Sequence, residues 1–391
     1  MRKIKVTIFV LIWALLIMVG IGYIIVSLNG DGHLGKFSFG VSNTIMLKEE
    51  NYSIQGVKNL DVSVSHDAIE LMATDGKDFH VTQYGSEKAP DDALYNLRRD
   101  GDRLVVSVNN HTNIHIGLNF SKEKLVIEVP REWIGSVKME TSSGSIKILD
   151  EFLLENLYAN TSSGSIKIEK QLNVTNLKMS SSSGSIKIED NITAMEGFES
   201  KSRSGSQSVG GVLTAKNALF QTSSGGIYIQ NKINCDGKLS LSSSSGSITI
   251  EGENNADSFN VKSSSGGIRL GKMQVKTFDI GCTSGSIRVD EISGGGSLET
   301  TSGGITANLL NPVGNVTAIS TSGNVNLTVP SEMSFQFEAD TTSGNIKTNF
   351  EIMYRSNRGN SAIATVGSNP TVKIKAEATS GNIKVDRNVE P

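Results

Sequence analysis

From residue 137 onward the chain repeats one pattern of apolar and polar positions. Just after a recurring glycine come two apolar residues separated by a polar one: Ile146 and Ile148, Ile166 and Ile168, Ile186 and Ile188, Ile227 and Ile229, Ile248 and Ile250. Such alternation predicts a half-buried β-strand. The residues seven and five before the glycine are also mostly apolar: Val137 and Met139, Leu177 and Met179, Leu239 and Leu241, Phe259 and Val261, Phe278 and Ile280, Phe337 and Ala339. A second short strand therefore ends at a glycine corner. Three residues before the glycine the side chain is small (Thr141, Thr161, Ser181, Thr222, Ser263, Cys282, Ala378), as expected where a coil narrows.

The corner is a phrase: TSSGSIKI at 141 and 161, SSSGSIKI at 181, then looser copies to TSGNIKV at 379. Its glycines are Gly144, Gly164, Gly184, Gly205, Gly225, Gly246, Gly266, Gly285, Gly303, Gly323, Gly344 and Gly381, with gaps of 18 to 21 residues except for a last gap of 37. One coil of two short strands cannot cover its own apolar faces. Stacking coils about 4.8 Å apart pairs each strand with its copies above and below. The fold class is therefore all-β: a parallel β-solenoid of about 20 residues per coil, taken as right-handed because parallel crossovers are. Ile146, Ile166 and Ile186 should form one internal ladder, with corner hydroxyls bonding from coil to coil. The glycine supplies either a positive φ or close backbone approach. An antiparallel sandwich or barrel would need Asn-Gly or Asp-Gly turns, which are nearly absent from the repeats.

Departures mark irregular places. The coil around Gly205 has Gln207 and Ser200 at apolar positions, which predicts local loosening. The gap of 37 holds FEIMYRSNRGNSAIATVGSNP, an excursion suited to closing the open end of the stack. Residues 51–135 lack the glycine phrase but contain LDVSV, AIELMA, FHVTQY, RLVVSV and LVIEV, read as an irregular β-cap continuous with the rod. The organisation expected is a cytoplasmic tail over 1–5, a transmembrane anchor over 6–26, a stalk over 27–50, the cap over 51–135, solenoid repeats over 136–348, and a final coil and cap over 349–391.

The anchor, VTIFVLIWALLIMVGIGYIIV, carries no charge across 21 residues, enough to span a bilayer as a helix. Arg2, Lys3 and Lys5 precede it and the first basic residue after it is Lys36, which places the N-terminus in the cytoplasm and the bulk of the chain outside the cell membrane. A cleaved signal peptide is the rival. The run exceeds a signal's apolar region, and SLNGDGHLG offers no A-x-A-like cleavage site.

Composition adds limits. The net charge of −3 excludes a strongly basic nucleic-acid binder. Cys235 and Cys282 fall on different coils and at different positions around the coil, too far apart to bridge, and are expected to be free, small and buried.

On LDVSVSHDAIEL, GDRLVVSV, LVIEVP and the repeated TSSGSIKI with its SGNI variants, residues 50–391 resemble the bacterial putative-adhesin β-strand-repeat family, which includes the LiaG-like envelope proteins of Gram-positive bacteria. The resemblance implies a membrane-tethered extracytoplasmic β-rod associated with envelope-stress loci. It carries over no catalytic residues.

Candidate chemistry is sparse. Three residues after the glycine an outward position is basic in many coils: Lys147, Lys167, Lys187, Arg269, Arg288, Lys347 and Lys384. Stacking makes this a broken cationic stripe, suited to an anionic wall polymer such as teichoic acid or to lipid headgroups. Equally, with Glu169, Glu189, Glu251 and Asp290 two positions on, it is a solubilising surface. His111 and His115 are four apart, a metal spacing for a helix but not for a strand. GGGSLETTSGG at 294 lacks the aspartate of a calcium β-roll, and the SSG clusters fit neither a phosphate loop nor a nucleophile elbow. No cofactor, metal, small-molecule substrate or nucleic acid is expected.

The enzyme alternative is a carbohydrate-active β-helix with paired acids in a groove. Asp279, Asp290 and Glu299 are scattered around the coil instead. A cleft with paired carboxylates over coils 246 to 323 would favour the enzyme, and a Ser/Thr/Lys surface a scaffold. The expected role is a non-enzymatic structural or adhesin-like protein of the cell envelope. A wall-polymer sensor is the second reading, and its short cytoplasmic tail would require a membrane partner to carry any signal.

Overall fold

The computed structural model describes residues 44–87, 93–108 and 123–388. Segment 6–26 and the pair His111 and His115 lie outside these residues. Among the described residues all regular elements are β-strands, and no helix is long and apolar enough to cross a membrane.

The repeats stack in parallel and in register. Ile166 lies between Ile146 and Ile186, and Ile168 between Ile148 and Ile188. All six are at most 2% exposed, so the alternation read from the sequence maps directly onto an inside and an outside. The strand before each glycine forms its own ladder: Val137 against Leu157, Leu157 against Leu177, Leu177 against Phe198.

A coil has more than the two strands expected. A third ladder runs through residues 152–154, 172–174, 192–194 and 213–215 to Ile233–Cys235. Its inward residues include Phe152, Leu154, Leu172, Val174, Ile192, Leu213 and Ile233, all buried. In most of these coils the third strand runs on into the first strand of the next coil, as in Phe152–Thr161 and Leu172–Ser181. A continuous ten-residue stretch does not announce a corner, which is why the pattern reads as fewer strands. Cys235 occupies this third ladder opposite Ala215, while Cys282 sits at a glycine corner, and both are free and buried.

The glycines are required by close approach. A Cβ on Gly164, Gly184 or Gly205 would stand 1.8 to 1.9 Å from the carbonyl oxygen of the preceding corner glycine. None of the corner glycines has a positive φ, so of the two reasons open from sequence, only this one applies.

The coil at Gly205 keeps its place: Gln207 pairs in register between Ile186 and Ile227, and Ser200 between Met179 and Phe220. The loosening expected there is not found, because backbone pairing holds the coil whatever its side chains are; what the polar residues leave is unmet polarity. Ser200 Oγ, Ser202 Oγ and Gln207 Oε1 are buried without hydrogen-bond partners, although Gln207 Nε2 donates to the Gln221 carbonyl at 2.6 Å.

The ends depart from a simple stack. Thr44–Ser53 pairs antiparallel with Asp78–Ser86, so the segment read as a stalk over 27–50 already contains strand from Thr44. Asn59–Val64 lies between Ser136–Thr141 and Arg103–Val108, which makes the cap continuous with the rod but out of chain order. Asp78–Ser86 then covers Lys124–Pro130 from outside, antiparallel. At the other end Ser361–Val366 runs antiparallel along Phe335–Thr341, so part of the 349–391 excursion does flank the last coil. The strands after it are not outermost: Val372–Ala378 lies between Val316–Ser320 and Phe335–Thr341.

Candidate functional surface

The outward row three residues after each glycine is one continuous line in space. In stacking order it reads Lys147, Lys167, Lys187, Ser208, Tyr228, Thr249, Arg269, Arg288, Thr306, Asn326, Lys384 and Lys347, and Glu70 of the cap strand Ala68–Thr74 continues it beyond Lys147. The structure therefore brings the sequence-derived cations together in three groups: Lys147 with Lys167 and Lys187, Arg269 with Arg288, and Lys384 with Lys347.

Most of these cations are already paired. Lys147 Nζ bonds Glu70 at 3.0 Å, Lys167 bridges Glu169 at 2.7 Å and Glu189 at 3.1 Å, and Lys187 bonds Glu189 at 2.6 Å. Arg288 pairs with Asp290 and Lys384 with Asp386. Its hydrogen bonds to Glu169 and Glu189 push the Lys167 ammonium above its ordinary range, and those donated by Lys187 and Lys167 hold Glu189 below its own. Carboxylates two residues further along each strand thus turn the stripe into an alternating lattice. Exposed pairs of this kind add little stability, but they cancel the field that would attract a polyanion. Arg269 and Lys347 are exposed and, among the described residues, make no ion pair.

The sequence did not single out the surface beside the corners. A shallow cleft of about 520 Å³ lies over the coils from Thr222 to Thr321, lined by Ser223, Ser244, Ser264, Thr283, Thr301 and Thr321. These are the residues two before each glycine, exposed on successive coils. That position is Ser or Thr in every glycine coil except at Arg203, a regularity written in the sequence at a polar position that the apolar alternation does not mark. Glu299 is the one carboxylate lining this cleft. Nearby Asp279 is bound by Lys262 at 2.5 Å, Ser297 at 3.0 Å and Asn260 at 3.2 Å. Burial pushes its carboxyl up, but the bonds from Lys262 and Ser297 outweigh this and hold it below the ordinary range. A carboxylate held ionised cannot donate a proton, and Asp290 is engaged with Arg288. The surface over these coils is hydroxyl-bearing.

Beneath it the corner is closed by a hydroxyl column. Thr161 Oγ1 donates to the Gly144 carbonyl at 3.0 Å and accepts from the Gly164 N–H at 3.0 Å, and Ser181 repeats this with Gly164 and Gly184. Cys282 takes the same place with sulfur, donating to Gly266 and accepting from Gly285. Small size alone therefore does not explain this position: its donor and acceptor satisfy two buried backbone groups.

A family model described as Toastrack DUF4097 matches residues 57–255 and again 219–386. None of the curated proteins matches the chain. Among solved structures, a putative adhesin from Parabacteroides merdae is 12% identical, with 90% of this chain and 99% of that one covered and a TM-score of 0.34. A putative lipid binding protein from Parabacteroides distasonis is 16% identical, with 89% and 98% covered and a TM-score of 0.35. A putative adhesin from Bacteroides fragilis is 15% identical, with 88% and 97% covered and a TM-score of 0.23. Likenesses this partial bear neither on mechanism nor on ligand.

Proposed function

We propose that this chain, which belongs to the Toastrack DUF4097 family, is a structural or interaction rod of the cell envelope, tethered to the cytoplasmic membrane by residues 6–26. The observation that carries this reading is the outward row. It repeats at a fixed rise on a continuous dry core, a form suited to weak, multivalent contact with a repetitive partner. An anionic wall polymer is the partner whose chemistry fits. The paired lysines 147, 167 and 187 keep the rod soluble, and the uncommitted cations Arg269 and Lys347 are where a polyanion gains an ion pair without breaking one.

The test is retention of the full-length chain on isolated cell wall, with and without teichoic acid. The double variant Arg269→Gln with Lys347→Gln should lose more retention than the triple variant with Lys147, Lys167 and Lys187 changed to Gln. Equal retention of all three proteins would reject the cationic contact. Fractionation of cells with the chain in the membrane pellet, resistant to high salt, is the outcome expected of the tether.

A further inference from the structure

The coil nearest the far end in sequence is not the coil nearest it in space. Val316 faces Ile374, and Ile374 faces Phe337; on the second ladder Val325 faces Ile383, and Ile383 faces Ile346. The glycine column runs in the same order. A Cβ on Gly381 would meet the Gly323 carbonyl at 2.1 Å, and one on Gly344 would meet the Gly381 carbonyl at 2.0 Å. Residues 372–387 thus fill a slot whose two walls are coils 316–329 and 335–348.

Those walls are separated in sequence like direct neighbours. Gly323 and Gly344 are 21 residues apart, the same gap as Gly184 and Gly205, which stack on each other without an insert. The slot segment is therefore an added element, held by what it offers to both sides. Val372, Ile374, Ala376, Ile383 and Val385 are buried. The Lys373 N–H donates to Asn315 Oδ1 and the Asn382 N–H to Asn324 Oδ1 on one wall, and Lys373 pairs with Glu338 on the other.

The chain reaches the slot through a tight connection. Ser361–Val366 lies on the outer side of Phe335–Thr341 and Val372–Ala378 on its inner side. Residues 367–371 must cross the start of that strand. Gly367 and Asn369 take left-handed φ values of 74° and 48°, Pro370 fixes the next, and the Ser368 N–H donates to Ser334 Oγ at 3.1 Å. A non-glycine residue in the left-handed region is strained by about 1 kcal/mol, and short strained hinges favour exchange of the element they carry.

We propose that two copies of the chain exchange residues 372–387, each inserting its Val372–Ala378 and Ile383–Arg387 strands into the other's slot. Every contact that residues 372–387 make with the slot is kept in the exchanged pair because the slot is the same in both copies, while the hinge extends and loses its left-handed residues and the Ser368–Ser334 bond. Reciprocal insertion closes as a two-fold dimer and joins two rods at this end. The proposal stands apart from the wall-polymer reading.

The test places a disulfide across the slot. Thr317 and Lys375 are register partners on adjacent strands and half-buried. The full-length chain carrying Thr317→Cys and Lys375→Cys, with Cys235→Ala and Cys282→Ser, is unfolded in urea, refolded in detergent over a range of concentrations, oxidised and run without reductant. Disulfide-linked dimer is expected, its ratio to monomer rising about tenfold for each tenfold rise in monomer concentration. Asn369→Gly, which relaxes the hinge, should lower that ratio several-fold. Oxidised monomer alone at every concentration would overturn the proposal. The pair Thr328→Cys with Asp386→Cys reads the same slot on the second ladder if the first does not fold. The pair Lys167→Cys with Lys187→Cys in the body of the rod must stay monomeric, and dimers there as well would also overturn it.

Discussion

A Cβ on Gly164 would stand 1.8 Å from the carbonyl oxygen of Gly144. No rotamer relieves that contact, since the backbone alone sets where a Cβ stands, the oxygen is itself backbone, and the approach is fixed by the ladder spacing. Gly164→Ala should lower stability by about 3 kcal/mol or more. Gly267, whose added Cβ would meet nothing nearer than 3.5 Å, should accept alanine with no loss, or with a gain of up to about 1 kcal/mol through the unfolded state. Urea unfolding midpoints of the two variants decide this; equal loss in both would sink the close-approach explanation.

One substitution should change sign with its place in the rod. Ser181 Oγ both donates to Gly164 and accepts from Gly184, so Ser181→Ala leaves two buried backbone groups short and should cost about 1 to 2 kcal/mol. Ser200 is equally buried but its hydroxyl has no partner. Ser200→Ala removes an unmet polar group and should stabilise the fold by about 1 kcal/mol. Thermal melts of the pair test it, and destabilisation by Ser200→Ala would show that the hydroxyl is in fact satisfied.

Cys282 should behave as a hydroxyl substitute, with no redox role. Its Sγ lies 3.1 Å from the Gly266 carbonyl and 3.0 Å from the Gly285 nitrogen. Cys282→Ser should stay within about 1 kcal/mol of the parent, whereas Cys282→Val, similar in size, should lose about 1 to 2 kcal/mol by stranding the Gly285 N–H. The order of denaturant midpoints, serine above valine, is the check.

The cap holds two carboxylates with opposite pH dependence. Burial and the neighbouring Glu123 raise the Asp67 carboxyl to about 6. The folded state then binds a proton that the unfolded state has released, so stability falls as pH rises from about 4 to about 6 and is flat above that. The shift corresponds to roughly 3 kcal/mol as an order of magnitude. Glu70 runs the other way. Burial pushes it up, but bonds from Lys124 at 2.8 Å and Lys147 at 3.0 Å prevail and its net shift is downward, so its contribution is present at neutral pH and lost as pH falls through the carboxylate range. Asp67→Asn should raise stability at pH 7 and flatten the slope between pH 4 and 6, while Glu70→Gln should lower it at pH 7. Unfolding free energies across that range separate the two; an unchanged slope in Asp67→Asn would remove Asp67 as its source.

Much of the body of the rod was legible in the residues. Ile146, Ile166 and Ile186 announce one ladder because strand alternation has a period of two and the coil repeat is regular, so inside and outside follow from counting. The third ladder was not legible, because Phe152–Thr161 is one strand in the chain and two sides of the coil in space. The cation row and its partners two residues on could be listed from sequence, but the pairing between coils could not. Whether Lys167 reaches Glu189 depends on which coil lies above it, and that is a distance between residues 22 apart.

What the sequence by itself determined were the features that alternation and the glycine spacing mark out coil by coil: the two strands flanking each corner, the corner glycines, the hydroxyl column and the outward rungs. Such features need only local alternation and a constant rise. Tertiary structure alone decided the order of coils at the two ends. A strand edge offers the same backbone donors and acceptors to any strand of matching pattern, so Val316–Ser320 could accept Phe335–Thr341 or Val372–Ala378, and only packing on both sides at once selects the second.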